Sequence, residues 1–153
     1  MNFDSFYNDN YSCIYRFCLQ WIGNSDDAKD IAQEVFTELF ERLTKQVDFI
    51  NPRAWAYRVA YNRCINLHKR KQQVVYGDII ITQADVDNSL ERREQFLRIR
   101  KAMNKLSEKE RALVILYKEG FSYKEMSAVI EINENSVGKT LSRAIDKMTK
   151  LLV

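Results

Sequence analysis

The sequence predicts an all-α protein built as two small helical domains joined by a flexible linker, and three observations carry that prediction. Only four Gly and one Pro interrupt 153 residues that are otherwise rich in strong helix formers. Apolar residues recur at spacings of three and four in both halves of the chain. Between those halves, residues 73 to 93 lose the period. A hydrophobic fraction of 46% and a charged fraction of 29% leave enough apolar material for two cores and argue against disorder.

The first helix is expected over residues 3 to 22. Phe3, Phe6, Tyr7, Tyr11, Ile14, Tyr15, Phe17, Cys18, Trp21 and Ile22 give it a broad apolar face. Gly23-Asn24 stops it. Ser25 or Asp26 caps the next helix, with Asp26 and Asp27 complementing its N-terminal dipole. That helix runs to about Lys45, with Ile31, Val35, Leu39 and Leu43 inward, Ala28, Ala32 and Phe36 beside them, and an acidic outer face. Asn51-Pro52 opens a third, since Pro is suited to a first turn. Its expected inner stripe is Ala56, Val59, Ala60, Cys64 and Leu67, leaving Trp55, Tyr57, Arg58, Tyr61, Asn62 and Arg63 on the remaining surface.

Val74 to Ile81 is β-branched and Thr82 to Ser89 is polar and acidic, which reads as a tether. The expected domains are therefore 1 to 72 and 94 to 153, with the linker between. Periodicity returns with Leu97, Ile99, Met103 and Leu106. Ser107 with Glu110, and Ser122 with Glu125, have capping-box spacing. Leu113, Leu116 and Tyr117 are expected inward, and Gly120 suits a left-handed stop. Met126, Val129 and Ile130 face the core of a short helix. Asn133 caps the last helix, whose stripe is Val137, Leu141, Ile145 and Met148.

Net charge is +3, which says little, but its distribution is uneven. Residues 24 to 48 carry seven acids against three bases, and residues 49 to 72 carry six bases and no acid. An acidic helix followed by a basic one suggests two different partners, or a two-faced domain. Cys13, Cys18 and Cys64 lack metal spacing and read as buried thiols of a reducing cytosol. The single His68 has no second ligand beside it. No nucleophile with a base, no metal set and no cofactor motif is found, so no catalytic residue, metal or cofactor is expected. No apolar run is long enough for a bilayer and no signal peptide is present, so a cytoplasmic protein without membrane insertion is expected.

Two constellations remain. Two short helices with a tight turn, the second longer and more basic, describe a helix-turn-helix. Asn135, Ser136, Lys139, Ser142 and Arg143 are polar donors suited to phosphates or base edges. An ordinary helical hairpin with a solvated face has the same pattern. In the first half, Trp55, Tyr57 and Tyr61 interleave with Arg53, Arg58 and Arg63. Aromatic faces stack unpaired bases at roughly 1–3 kcal/mol each and cations hold the backbone. Trp55 is read as a packing residue first, since an aromatic at helical spacing is more often core; Tyr61, Asn62 and Arg63 are the stronger candidates for exposed function. His68-Lys69-Arg70-Lys71 is either a solvated helix end or a phosphate contact.

Both halves together resemble the extracytoplasmic-function (ECF) sigma factors of the sigma-70 superfamily. "FYNDNYSCIYRF" (6 to 17) looks like that family's first helix. "DDAKDIAQEVFTELF" (26 to 40) is similar to the acidic segment that binds the polymerase clamp. "NPRAWAYRVAYNRCINLHKRK" (51 to 71) resembles the region 2 segment that melts and reads the minus-ten element. "LSEKERALVILYKEGFSYKEMSAVIEINENSVGKTLSRAIDKM" (106 to 148) resembles region 4, which reads the minus-thirty-five element.

The resemblance implies a sigma factor that binds core RNA polymerase and directs promoter-specific initiation. It puts Asp30, Gln33, Glu34 and Phe36 on the polymerase-binding motif. Arg58, Tyr61, Asn62, Arg63, Lys69 and Arg70 fall to the minus-ten DNA. Glu134, Asn135, Ser136, Lys139 and Arg143 fall on the recognition helix. Core polymerase, promoter DNA as duplex and melted strand, and an inhibitory anti-sigma factor are the implied partners. The chain departs from the family pattern at Ala56, where a larger aliphatic is usual, and at Glu131, where a turn glycine is usual. Gly138 and Thr140 stand where basic residues are usual. Two rival readings are a stand-alone helix-turn-helix regulator and a helical adaptor without DNA binding; "DDAKDIAQEVF" speaks against the first.

Overall fold

The computed structural model describes residues 1–71 and 90–153. The chain divides into two compact units, Met1–Tyr76 and Gly77–Val153. Among the described residues all regular structure is helical. The tether expected over 73 to 93 lies outside the described residues, except that its last four residues are helical.

In the first unit, α1 (Phe3–Ile22), α2 (Ser25–Thr44) and α3 (Pro52–Lys71) each pack on the other two. Asn2 caps α1 by accepting from the Asp4 and Ser5 amides. Gly23 ends it in the left-handed region, φ 70°, and donates its N–H to the Leu19 carbonyl at 2.8 Å. The cap of α2 is Asn24, not Ser25 or Asp26: its side chain accepts from the Asp27 amide at 3.0 Å. Pro52 is the first residue of α3, and Asn51 Oδ1 accepts from the Ala54 amide at 3.1 Å.

The core of this unit is aromatic. Phe17 meets Tyr57 edge-on at 5.3 Å between ring centres, and Trp21 meets Tyr61 at 5.7 Å. Tyr57 is fully buried and Tyr61 nearly so, which corrects the expectation that both lie on the surface. Val59 and Leu67, expected inside, are half-buried. The inner face of α3 is thus rotated towards its tyrosines. A ring removes far more apolar area from water than Val or Ala, so the rings take the inside and Ala54, Ala56 and Ala60 fill the space between helices.

In the second unit, α4 (Leu90–Asn104), α5 (Glu108–Lys118), α6 (Tyr123–Ile130) and α7 (Glu134–Leu152) follow. α7 packs against all three of the others. Both expected capping boxes form, Ser107 with Glu110 and Ser122 with Glu125. Gly120 takes φ 84° after α5. Glu131 ends α6 at φ 57°, ψ 49°, donating its N–H to the Ser127 carbonyl. The turn therefore does need a left-handed residue, and a side chain there costs about 1 kcal/mol or more. Met126, Val129, Ile130, Val137 and Leu141 are buried as expected. Tyr117, expected inward, is 55% exposed, and Ile115 takes the core position. On α7, Ala144 is buried and Ile145 exposed, because the packed stripe steps by four and then three.

Candidate functional site

The outer face of α2 is built from a stripe at helical spacing: Asp30, Gln33, Glu34, Thr37, Glu38 and Glu41. With Arg63 of α3 they line an open groove of about 640 Å³. Asp30, Gln33 and Glu34, three of the four residues assigned to the polymerase-binding motif, are exposed along it. Gln33 lies beside Tyr11 of α1. Burial and the neighbouring Tyr7 raise the Tyr11 phenol above its ordinary value, against the lowering effect of Gln33.

Phe36 is different. It is 1% exposed and sits among Phe3, Phe6, Tyr7 and Tyr11, with the Tyr7 ring centre 4.9 Å away. Its place is the core beneath the stripe, where it holds α2 on α1. The aromatic that does face outward is Phe40, 52% exposed and edge-on to Phe3 at 5.2 Å. The sequence reading missed it because Phe40 and Phe36 are one helical turn apart and look equivalent by period.

On α3, Arg58, Asn62, Lys69 and Arg70 are exposed. Arg58, Asn62 and Lys69 share one side of the helix, joined there by the exposed Asn66, which spacing from Asn62 could have flagged. Trp55 is half-buried, with the Phe49 ring at 5.0 Å and the Arg42 guanidinium at 5.2 Å. Arg63 turns away to α2: Nη1 donates to Glu34 Oε2 at 2.7 Å and Nη2 to Glu38 Oε2 at 3.1 Å. The structure thus joins a residue expected at the DNA to one expected at the polymerase.

On α7, Asn133 caps the helix by accepting from the Asn135 amide at 2.9 Å. Glu134, Asn135, Ser136, Lys139 and Arg143 are all exposed, while Val137, Leu141 and Ala144 face the core. Glu134 lies in the first turn, where a carboxylate complements the helix dipole. The Thr140 hydroxyl donates to the Ser136 carbonyl at 2.8 Å and so is tied to its own helix. Lys147 donates to the buried Glu110 at 2.9 Å. Burial works to raise the Glu110 carboxyl, but hydrogen bonds from Lys147 and Ser107 outweigh it and hold the group below its ordinary value. Among the described residues no group of His, Cys, Asp or Glu could hold a metal ion, and no helix is long and apolar enough to cross a membrane.

The two units correspond to two family models, Sigma-70 region 2 over residues 6–74 and Sigma-70, region 4 over residues 96–148. The chain is similar to the ECF RNA polymerase sigma factor SigM of Bacillus subtilis, 26% identical over 99% of this chain and 95% of that protein. It is also similar to the RNA polymerase sigma factor YlaC of the same organism, 23% identical over 92% of this chain and 86% of that one. In fold it matches the sigma factor RpoE of Bartonella quintana, solved in complex with the anti-sigma factor NepR, at a TM-score of 0.79 and 22% identity over 98% of this chain and 96% of that one. With a region 2 unit and a region 4 unit in the order the sequence led us to expect, the chain belongs to the sigma-70 family of transcription initiation factors, among its ECF sigma factors.

Proposed function

We propose that the two units divide promoter recognition between three surfaces. The acidic stripe of α2, through Asp30, Gln33 and Glu34, docks on core RNA polymerase. The exposed side of α3, through Arg58, Asn62, Lys69 and Arg70, takes the displaced minus-ten strand. The outer face of α7, through Glu134, Asn135, Ser136, Lys139 and Arg143, enters the major groove at the minus-thirty-five element. The observation that carries this reading is that Asp30, Gln33 and Glu34 line one exposed face while Phe36, in the same motif, anchors that face from below.

The chain acts in this reading by binding alone, as a regulator in the cytoplasm where polymerase works, without a catalytic step or a cofactor. With few exposed cations on α7, isolated duplex binding is weak and falls steeply with salt, and polymerase supplies the rest. An anti-sigma factor that covers the docking face is a further expected partner; the Bartonella relative, crystallised with one, supports this.

Co-purification with core polymerase followed by run-off transcription tests the assignment. Asp30→Arg with Glu34→Arg should abolish core binding while the helical circular dichroism and melting temperature stay near wild type. Unchanged core binding would transfer the acidic stripe to another partner. Failure of the wild-type chain to bind core, with duplex binding intact, would favour a stand-alone regulator.

A further inference from the structure

We propose that Arg63 is a positioning residue for polymerase docking, holding the Glu34 and Glu38 carboxylates in the orientation that a basic partner meets. The inference rests on the reading of α2 as the docking face. Glu34 and Glu38 are one helical turn apart, and like charges at that spacing repel. A glutamate left to itself samples many rotamers and must be ordered when a partner binds. Here a single planar guanidinium reaches across from α3 and pins both, at 2.7 and 3.1 Å, through Oε2 of each. Oε1 of Glu38 turns instead towards Arg42, at 3.4 Å. Both carboxylates are thus held on the groove that Asp30, Gln33 and Glu41 also line.

Exposure decides where the effect should be read. The Arg63 side chain is 39% exposed and that of Glu34 55%, so the pair contributes little to folding. Its loss belongs in docking, not in melting. Electrostatics alone predicts the opposite sign: removing Arg63 makes the groove more negative and should strengthen the hold on a basic partner. Preorganisation predicts a weaker one.

The test measures the affinity of the full chain for core RNA polymerase. Arg63→Ala should weaken it by at least about fivefold, the lower bound for ordering two glutamates on binding, with an unaltered melting temperature. Arg63→Lys should recover part, since an ammonium lacks the planar fork. In a Glu34→Gln, Glu38→Gln background, Arg63→Ala should have no further effect. Equal or tighter binding by Arg63→Ala would overturn the proposal, and so would a full loss that persists in that background, because Arg63 would then act elsewhere. If the double glutamine variant itself binds core like wild type, the docking reading of α2 falls and the inference with it. If that variant is weakened while Arg63→Ala is not, only the inference falls.

Discussion

The two units reach an all-helical fold by different means. The region 2 unit uses three helices of 20 residues each, joined by short turns, and a core crowded with rings: Phe17, Trp21, Phe36, Tyr57 and Tyr61. The region 4 unit uses shorter helices, of 8 and 11 residues in α6 and α5, and a mainly aliphatic core. Helices that short are marginal by themselves. The ends of these two helices are accordingly marked by local chemistry, with two capping boxes, Gly120 and Glu131. Long helices with large rings rely on packing, and their faces are chosen by whichever residues bury the most area. Local caps mark helix ends in both units, with Asn2, Gly23, Asn24 and Asn51 in the first, but the choice of buried face in the first unit rests on tertiary contacts between its rings.

The largest effect that would sharpen this contrast is expected from Phe36→Ala. Truncating a fully buried ring should destabilise the first unit by about 3–5 kcal/mol, seen as a lower denaturation midpoint. The same change at Tyr117, 55% exposed in the second unit, should stay within about 0.5 kcal/mol. Similar losses at the two sites would break the comparison.

A smaller effect is expected at the Glu110–Lys147 pair. Glu110 has a folded-state value below its unfolded one, so its contribution is present above the ordinary glutamate range and is lost as pH falls through the folded value. Lys147→Ala should cost about 1 kcal/mol at neutral pH, allowing for the exposure of the ammonium, and should flatten the acid limb of the stability profile. A profile unchanged by Lys147→Ala would remove the pair from the folding account. The smallest effect is expected from Glu131→Gly. Relief of the left-handed backbone, less the entropy of a new glycine, should stabilise the second unit by up to about 1 kcal/mol. A loss of stability in thermal melts would mean that the Glu131 side chain contributes more than its backbone costs.

Legibility followed that division only in part, since Tyr117 and Ile145 of the second unit, expected inward, are exposed. In the second unit the serine caps, Gly120 and the buried Met126–Val129–Ile130 face were all readable, because each rests on a short-range rule. Glu131 was readable as a departure, and the structure shows the conformation that makes it one. The surface residues of α7 were readable as well, since the polar side of a strongly amphipathic helix has nowhere else to go. In the first unit the helices, the acidic stripe and the inward side of α2 that carries Phe36 were legible, but Tyr57 and Tyr61, expected on the surface, are buried. Period alone cannot rank a ring against a valine on neighbouring faces of the same helix.

The sequence by itself determined that the chain is all helix in two halves, where the turns of the second half fall, and which family it resembles. Those properties depend on spacing, capping chemistry and composition, all of which act locally. The tertiary structure decided which face of α3 turns inward, that Phe36 supports the acidic stripe from beneath while Phe40 faces out, and that Arg63 belongs to the Glu34–Glu38 pair. Each of these depends on what a neighbouring helix presents at that height, and residues 34 and 63 meet only once α2 and α3 have packed.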